Sequence, residues 1–422
     1  MSEIFLSAHM TVLLAVFAIA FVMGAIVNKT NFCTMGAVSD WVNMGDTGRF
    51  RAWILAMATA ILGVTLLEAG DILSVDKTLP PYRGSNFAWL EYVFGGFLFG
   101  IGMTLGSGCG NKTLIRIGGG NLKSIIVFAI IAVFAYFMIN PFPGTDATIY
   151  SLVFYPWTSP TSVSMAGAQD IGSVVSRLAG GEVDVLRLVF GLLLAAALMF
   201  YVFRSREFRS SFDNVLGGLT VGLAVLAAWY ATGALISIDA DGDLLSWTDY
   251  ASAENWDMLE DDADARPRDV GVQSFTFINP IGQTLRLILE QFDFAFVTFG
   301  IAAVSGVILG SFVWSLIAKS FRIEWFVDFR DFVNHVIGGV LMGIGGVLAL
   351  GCTIGQGITG ASTLAIGSFL AFGGIVLGSA LTMKIQYYKL VYEDEASFGK
   401  ALITALVDFR LLPSGLRKLE AV

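Results

Sequence analysis

Apolar stretches of about 17 to 24 residues recur along this 422-residue chain, each long enough to cross roughly 30 Å of hydrocarbon as a helix rising 1.5 Å per residue. Nine stand out, at 10–27, 52–69, 90–107, 122–139, 186–203, 215–236, 294–317, 335–351 and 363–383. Most connections are short. Two are long, 140–184 and 237–280, and a polar tail follows the last span. The pattern predicts an all-α polytopic membrane protein.

Composition agrees, with 55% hydrophobic residues, 14% charged residues and a mean hydropathy of +0.74, far from a soluble globular domain. The residues before the first span carry Glu3 and no lysine or arginine, so the basic region of a secretory signal is missing and the span is expected to stay in the protein. Charge sorts the connections into two faces. Segments 28–51, 108–123, 204–213 and 318–333 carry three basic residues each and the tail six, whereas 70–89, 140–184, 237–280 and 353–362 carry five together. Excess lysine and arginine mark the cytoplasmic side, which predicts an external N-terminus and a cytoplasmic C-terminus. Segment 237–280 holds eleven acidic residues against Arg266 and Arg268, a local charge of −9 that equals the net charge of the whole chain. A solvated external insertion is the favoured reading over a cation-binding surface. Such a loop would be a poor funnel for an anion.

The three cysteines share a register, since Cys33, Cys109 and Cys352 each lie nine residues after a glycine: Gly24, Gly100 and Gly343. GGFLFGIGMTLGSGC ends at Cys109 and GGVLMGIGGVLALGC at Cys352, with the glycine pair fourteen residues before the thiol in both. In the predicted orientation span three runs inward and its twin, span eight, runs outward, so the copies are inverted. GGLTVGLAVLAAWYA from Gly217 repeats the glycine pattern and reaches Ala231 where the others have cysteine. Residues 1–140 and 213–383 therefore read as two halves of opposite topology, joined by 141–212 and followed by the tail 384–422, with the acidic insertion inside the second half. Inverted repeats place a site where broken helices meet near the midplane. Glycines beside the cysteines predict re-entrant loops after Cys33, Cys109 and Cys352. The GxxxG pairs at Gly96/Gly100, Gly218/Gly222, Gly306/Gly310, Gly339/Gly343 and Gly374/Gly378 predict close helix crossings.

Several chemistries are excluded. GSGCGNKT at 106–113 has Asn111 where a phosphate loop needs glycine and follows an apolar span, which argues against nucleotide binding. Three cysteines lack a fourth ligand for a structural zinc, and His9 and His335, near span ends, read as structural. No CxxC pair and no Ser, His and Asp set supports enzyme chemistry. No metal and no cofactor is expected. A polarizable thiol suits a soft substrate that itself exposes sulfur, and helix starts at the breaks, with Lys112 and Arg116 close in sequence to Cys109, suit an anion. One buried cysteine alone would read as a small hydrophobe. Three in one register reverse that.

NFCTMGAVSD around Cys33, GSGCGNKTLIRIGGG around Cys109 and LALGCTIGQGITGAS around Cys352 resemble the three cysteine motifs of the YeeE/YedE family of bacterial membrane proteins, which includes thiosulfate transporters. The resemblance spans nearly the full chain and implies nine spans in inverted repeats, in the bacterial inner membrane. It implies thiosulfate uptake, with Cys33, Cys109 and Cys352 contacting the ion in turn through their thiol hydrogens. Thr34, Gly108, Gly110, Asn111, Gly351 and Thr353 are implied as loop-shaping or second-contact positions. A small cytoplasmic sulfurtransferase of the TusA type is the implied partner, and nucleic acid is not one. The long insertions 140–184 and 237–280 depart from shorter family members.

Three readings follow. A non-enzymatic transporter hands thiosulfate, or a related sulfur anion, along the thiols, and weak successive contacts suit conduction. A membrane sulfurtransferase or redox relay would form a cysteine persulfide; relatives also suggest selenium compounds as cargo. A non-selective channel would make cysteine identity irrelevant. Asp40, Glu68 and Asp71, near span ends, are expected to be solvated rather than coupling groups.

Overall fold

The computed structural model describes residues 3–240, 243–259 and 266–420. Residues 260–265 of the acidic insertion lie outside them. Among the described residues the chain is mostly helical, and nine helical segments are long and apolar enough to cross a membrane, matching the nine stretches expected from the sequence.

The first set of elements runs α1 (Glu3–Thr30), a break, the short α2 (Thr34–Met44), α3 (Gly48–Ala69) and α4 (Trp89–Leu105). A second break leads to the short α5 (Gly110–Gly118) and then α6 (Leu122–Ile139). The amphipathic α7 (Ile171–Ala179) and the span α8 (Val183–Phe203) follow. The same order then recurs as α9 (Phe212–Gly233), the short α10 (Ile278–Leu289), α11 (Phe299–Ile317) and α12 (Phe329–Leu348). After that come a short helix over 353–362, π-helical across Gly355–Gly360, and α13 (Ile366–Val391). α14 (Phe398–Asp408) packs back on α13.

Packing follows that order. α1 lies on α11 and α9 on α3; α4 lies on α13 and α12 on α6; α4 crosses α12 and α1 crosses α9. Each contact thus has a counterpart with the partners exchanged. α8 is peripheral, resting on α3 and burying little more than Gly191, Ala195 and Val202.

Small residues set these approaches. A Cβ on Gly95 would stand 2.6 Å from the Ala349 nitrogen and one on Gly345 2.6 Å from the Gly95 carbonyl, so only glycine allows α4 and α12 to cross here. The five GxxxG pairs likewise face neighbouring helices at close range, as their spacing predicts.

The connections sort onto two faces. On one, Lys29 pairs with Asp213 (3.7 Å), Lys123 with Asp331 (2.8 Å) and Asn121 with Glu324 (2.7 Å). On the other, Asn86–Phe87 pairs with Val163–Ser164, and Leu79 bonds Val272. These groups are the basic-rich and basic-poor sets of the sequence.

Two expectations change. Ala231, which stands where the other glycine patterns reach a cysteine, sits inside α9, buried, and marks no break; the fourth break lies near the end of segment 237–280, where extended chain ends at Phe277, the N-cap of α10. The glycine pattern does not locate this break because the acidic stretch separates the two. Asp40 and Glu68 are not solvated acids: Asp40 is buried against Arg49, and Glu68 takes two bonds from Arg83. Asp71 is exposed, as expected.

Candidate functional site

The three cysteine turns are built alike. Two residues ahead of each thiol, Asn31, Ser107 and Leu350 adopt positive φ (51°, 58° and 56°), which ends the preceding helix in a left-handed residue. Gly108 then bonds the Met103 carbonyl and Gly351 the Gly346 carbonyl, both at 2.8 Å, closing the same turn twice. The cysteine begins a new helix: Ala37, Thr113 and Gln356 donate to the carbonyls of Cys33, Cys109 and Cys352 at 2.8–2.9 Å.

Some helix starts elsewhere are satisfied by side chains, while those of α3, α4, α8, α9, α10 and α13 are not. Asn121, Thr298 and Asp328 accept bonds from first-turn amides of α6, α11 and α13's neighbour α12. At α2 and α5 the cysteine supplies no such cap, which leaves first-turn amides and the positive end of a helix dipole facing the break. At Cys352 the sulfur itself accepts from the Gly355 amide at 3.4 Å, with the Thr276 hydroxyl at 4.0 Å.

All three cysteines are free thiols and buried. Cys109 lies within electrostatic reach of both Cys33 and Cys352. Thr34 and Thr353 are fully enclosed, and their hydroxyls have no hydrogen-bond partner; the Asn111 carboxamide oxygen is also unpartnered. Thr353 faces the Cys109 sulfur without closing a bond. Buried polar atoms left unpaired cost about 1–3 kcal/mol each, and here one stands within two residues of each cysteine. Gly108, Gly110 and Gly351 are buried in the turns, where Gly108 makes room for Lys112. Lys112 is half-buried and reaches Asn31 (3.3 Å), tying the first turn to the second. Arg116 lies in the last turn of α5.

A cavity approaches the cysteines from each face. One, of about 250 Å³, is bordered by Leu350, Gly351, Thr276, Gln273 and Asn279 beside the acidic insertion. The other, of about 310 Å³, is bordered by Met35, Ser39, Thr104, Ser107 and Gln386 on the basic-rich face.

Sequence reading missed several residues here. The Tyr82 hydroxyl, the Trp53 indole N–H and the Gln356 carboxamide oxygen are buried without partners around the 353–362 helix, and Thr276 touches Cys352. Tyr82 and Trp53 lie far from any cysteine in sequence. Only the alternation in SFTF at 274–277 hinted at the extended chain that carries Thr276.

Broken helices with buried, unpaired polar groups in a polytopic helical membrane protein have the build of a solute transporter. Residues 29–381 match the sulphur transport family, and the chain belongs to that family. It is similar to the thiosulfate transporter TsuA of Escherichia coli K12, at 24% identity over 84% of this chain and 89% of the relative. The thiosulfate transporter TsuA of Spirochaeta thermophila is 23% identical over 86% of this chain and 95% of its own length. The protein is a transporter of sulfur compounds, not an enzyme.

Proposed function

We propose that the chain takes up thiosulfate, or a closely related sulfur anion, through the bacterial inner membrane by passing it along Cys352, Cys109 and Cys33. What supports this reading is that unpaired Thr34, Asn111 and Thr353 each stand within two residues of a buried thiol at the start of a broken helix, with one cavity bordered by Gly351 and Thr276 and another by Met35 and Ser107. The names of both relatives support thiosulfate as cargo. Free amides and dipole ends attract the anion's oxygens, while thiol hydrogens meet its terminal sulfur. Each contact is weak, which allows release to the next.

The lysine and arginine bias supports a periplasmic N-terminus and a cytoplasmic C-terminus, so the cavity beside the acidic insertion is the outer mouth. The recurring element order and exchanged packing partners support two inverted halves, 1–140 and 213–383. A TusA-like cytoplasmic sulfurtransferase is the proposed acceptor. The test is uptake of labelled thiosulfate by cells lacking other routes, comparing the parent with Cys33→Ala, Cys109→Ala and Cys352→Ala. Each variant should lose at least about 10-fold in rate, the worth of one hydrogen bond to a charged group. Parent-like uptake in all three would overturn the thiol pathway.

A further inference from the structure

The fourth break is the one without a thiol. In chain order α10 answers to α2, so Phe277, the N-cap of α10, occupies the place that Cys33 holds ahead of α2. Its surroundings are not those of an ordinary core phenylalanine. Its backbone amide faces the Cys352 sulfur. Gly110, which follows Cys109 directly, is so near that a Cβ there would lie 3.7 Å from the Phe277 Cβ and 3.0 Å from Ile278 Cδ1. Phe277 is therefore wedged between the Cys352 turn and the Cys109 turn.

The wedge is held on its other sides. Phe277 is fully buried and lies parallel to Phe275, centroids 6.1 Å apart, and Phe275 packs in turn on Phe299 at 5.7 Å. The Thr359 hydroxyl bonds the Phe275 carbonyl at 2.7 Å, fixing this extended chain to the 353–362 helix. Thr276, between the two rings, reaches the outer cavity and Cys352 together. So the chain alternates a polar residue toward the outer cavity with buried aromatic rings on its other side.

We infer that Phe277 is the hydrophobic constriction between the Cys352 and Cys109 contacts, and that it sets which anions pass. An apolar ring at that point excludes water unless the ion displaces it. A strongly hydrated dianion such as sulfate offers only hard oxygens, whereas thiosulfate can present its softer sulfur to the thiols on either side. This rests on the proposed transport function, and its test is separable from that function.

In proteoliposomes, a membrane-impermeant methanethiosulfonate is added to the face bearing 70–89, and labelling of Cys109 is followed by site-resolved mass spectrometry. Phe277→Ala should raise the Cys109 labelling rate from that face by at least about 5-fold, because the constriction no longer screens it. Phe277→Leu, which keeps apolar bulk, should stay close to the parent. If Phe277→Ala does not fold, Phe277→Val makes the same comparison. Equal Cys109 labelling in the parent and the smaller variant overturns the constriction. In the same vesicles, the smaller variant should lower the ratio of thiosulfate to sulfate uptake by at least about 5-fold. An unchanged ratio overturns its role in selection. A parent that moves no thiosulfate defeats the transport reading, while the labelling result still decides the constriction.

Discussion

Arg83 donates through Nε to the carbonyl oxygen of Thr363 at 2.9 Å, and so ties the loop after α3 to the end of the 353–362 helix that starts at Cys352. Its other nitrogens hold Glu68 at 2.6 and 2.8 Å and Asp76 at 3.1 Å, and Asp76 is shared with Arg187 of α8 at 2.9 Å. The guanidinium is buried. Arg83→Ala would leave Glu68 half-buried without its partner and free the helix end. Thermal unfolding in detergent should show a loss of about 3–5 kcal/mol, as for one partner removed from a buried pair. Arg83→Lys should recover part of it, since one ammonium cannot reproduce the forked contact.

Thr353 offers a sharper separation of stability from function. Its hydroxyl is buried and unpartnered, so Thr353→Val removes an unpaired polar atom at nearly constant shape. Stability should hold or rise by about 1 kcal/mol, while thiosulfate uptake falls. Unchanged uptake, measured beside the melting temperature, would show that this hydroxyl takes no part in binding. A residue placed only for packing would leave both stability and uptake near the parent.

Asp170 makes the clamp on the basic-poor face sensitive to acid. Burial alone would raise its carboxyl pKa, but bonds from Arg187 (3.1 and 3.0 Å) and Ser173 (3.0 and 2.6 Å), with the charge of Arg83, bring it down to about 2. A depressed value means the contribution is complete above the unfolded value near 4 and fades as pH falls through 2. Asp170→Asn should therefore cost about 2 kcal/mol at pH 7. The gap between the parent and variant in thermal scans should narrow below pH 4. A gap constant from pH 7 to pH 3 would contradict this assignment.

The spans and three of the four breaks were legible because each signal is local. An apolar run reports a span, and a glycine pattern with a cysteine at a fixed distance reports a turn. The positive φ at Ser107 and Leu350 was not legible, since neither residue type favours it; the turn is imposed by the helix end before it and the helix start after it. Phe277 stayed hidden because the acidic stretch separates it from α9, and an aromatic residue among so many carries no mark. The clamp of Glu68, Asp76, Arg83, Asp170 and Arg187 draws on three separate segments, and only folding brings those charges together.

Cys352 gives the most direct view of what the thiols do. Its sulfur is approached by donors, the Gly355 amide at 3.4 Å and the Thr276 hydroxyl at 4.0 Å, so within the protein the sulfur accepts. In the proposed pathway its S–H hydrogen is the one that donates to the cargo. Cys352→Ser keeps a donor and an acceptor but replaces a large polarizable atom with a smaller, harder one, whereas Cys352→Ala removes both. Uptake should rank parent, then Ser, then Ala. The Ala variant should fall by about 10- to 100-fold, the span expected for a hydrogen bond to a charged partner. A persulfide relay would instead require the sulfur itself, making Ser as inactive as Ala and adding one sulfur atom to the cysteine after exposure to thiosulfate. Rates of the two variants and the intact mass of the parent, measured on one preparation, choose between donation and covalent transfer.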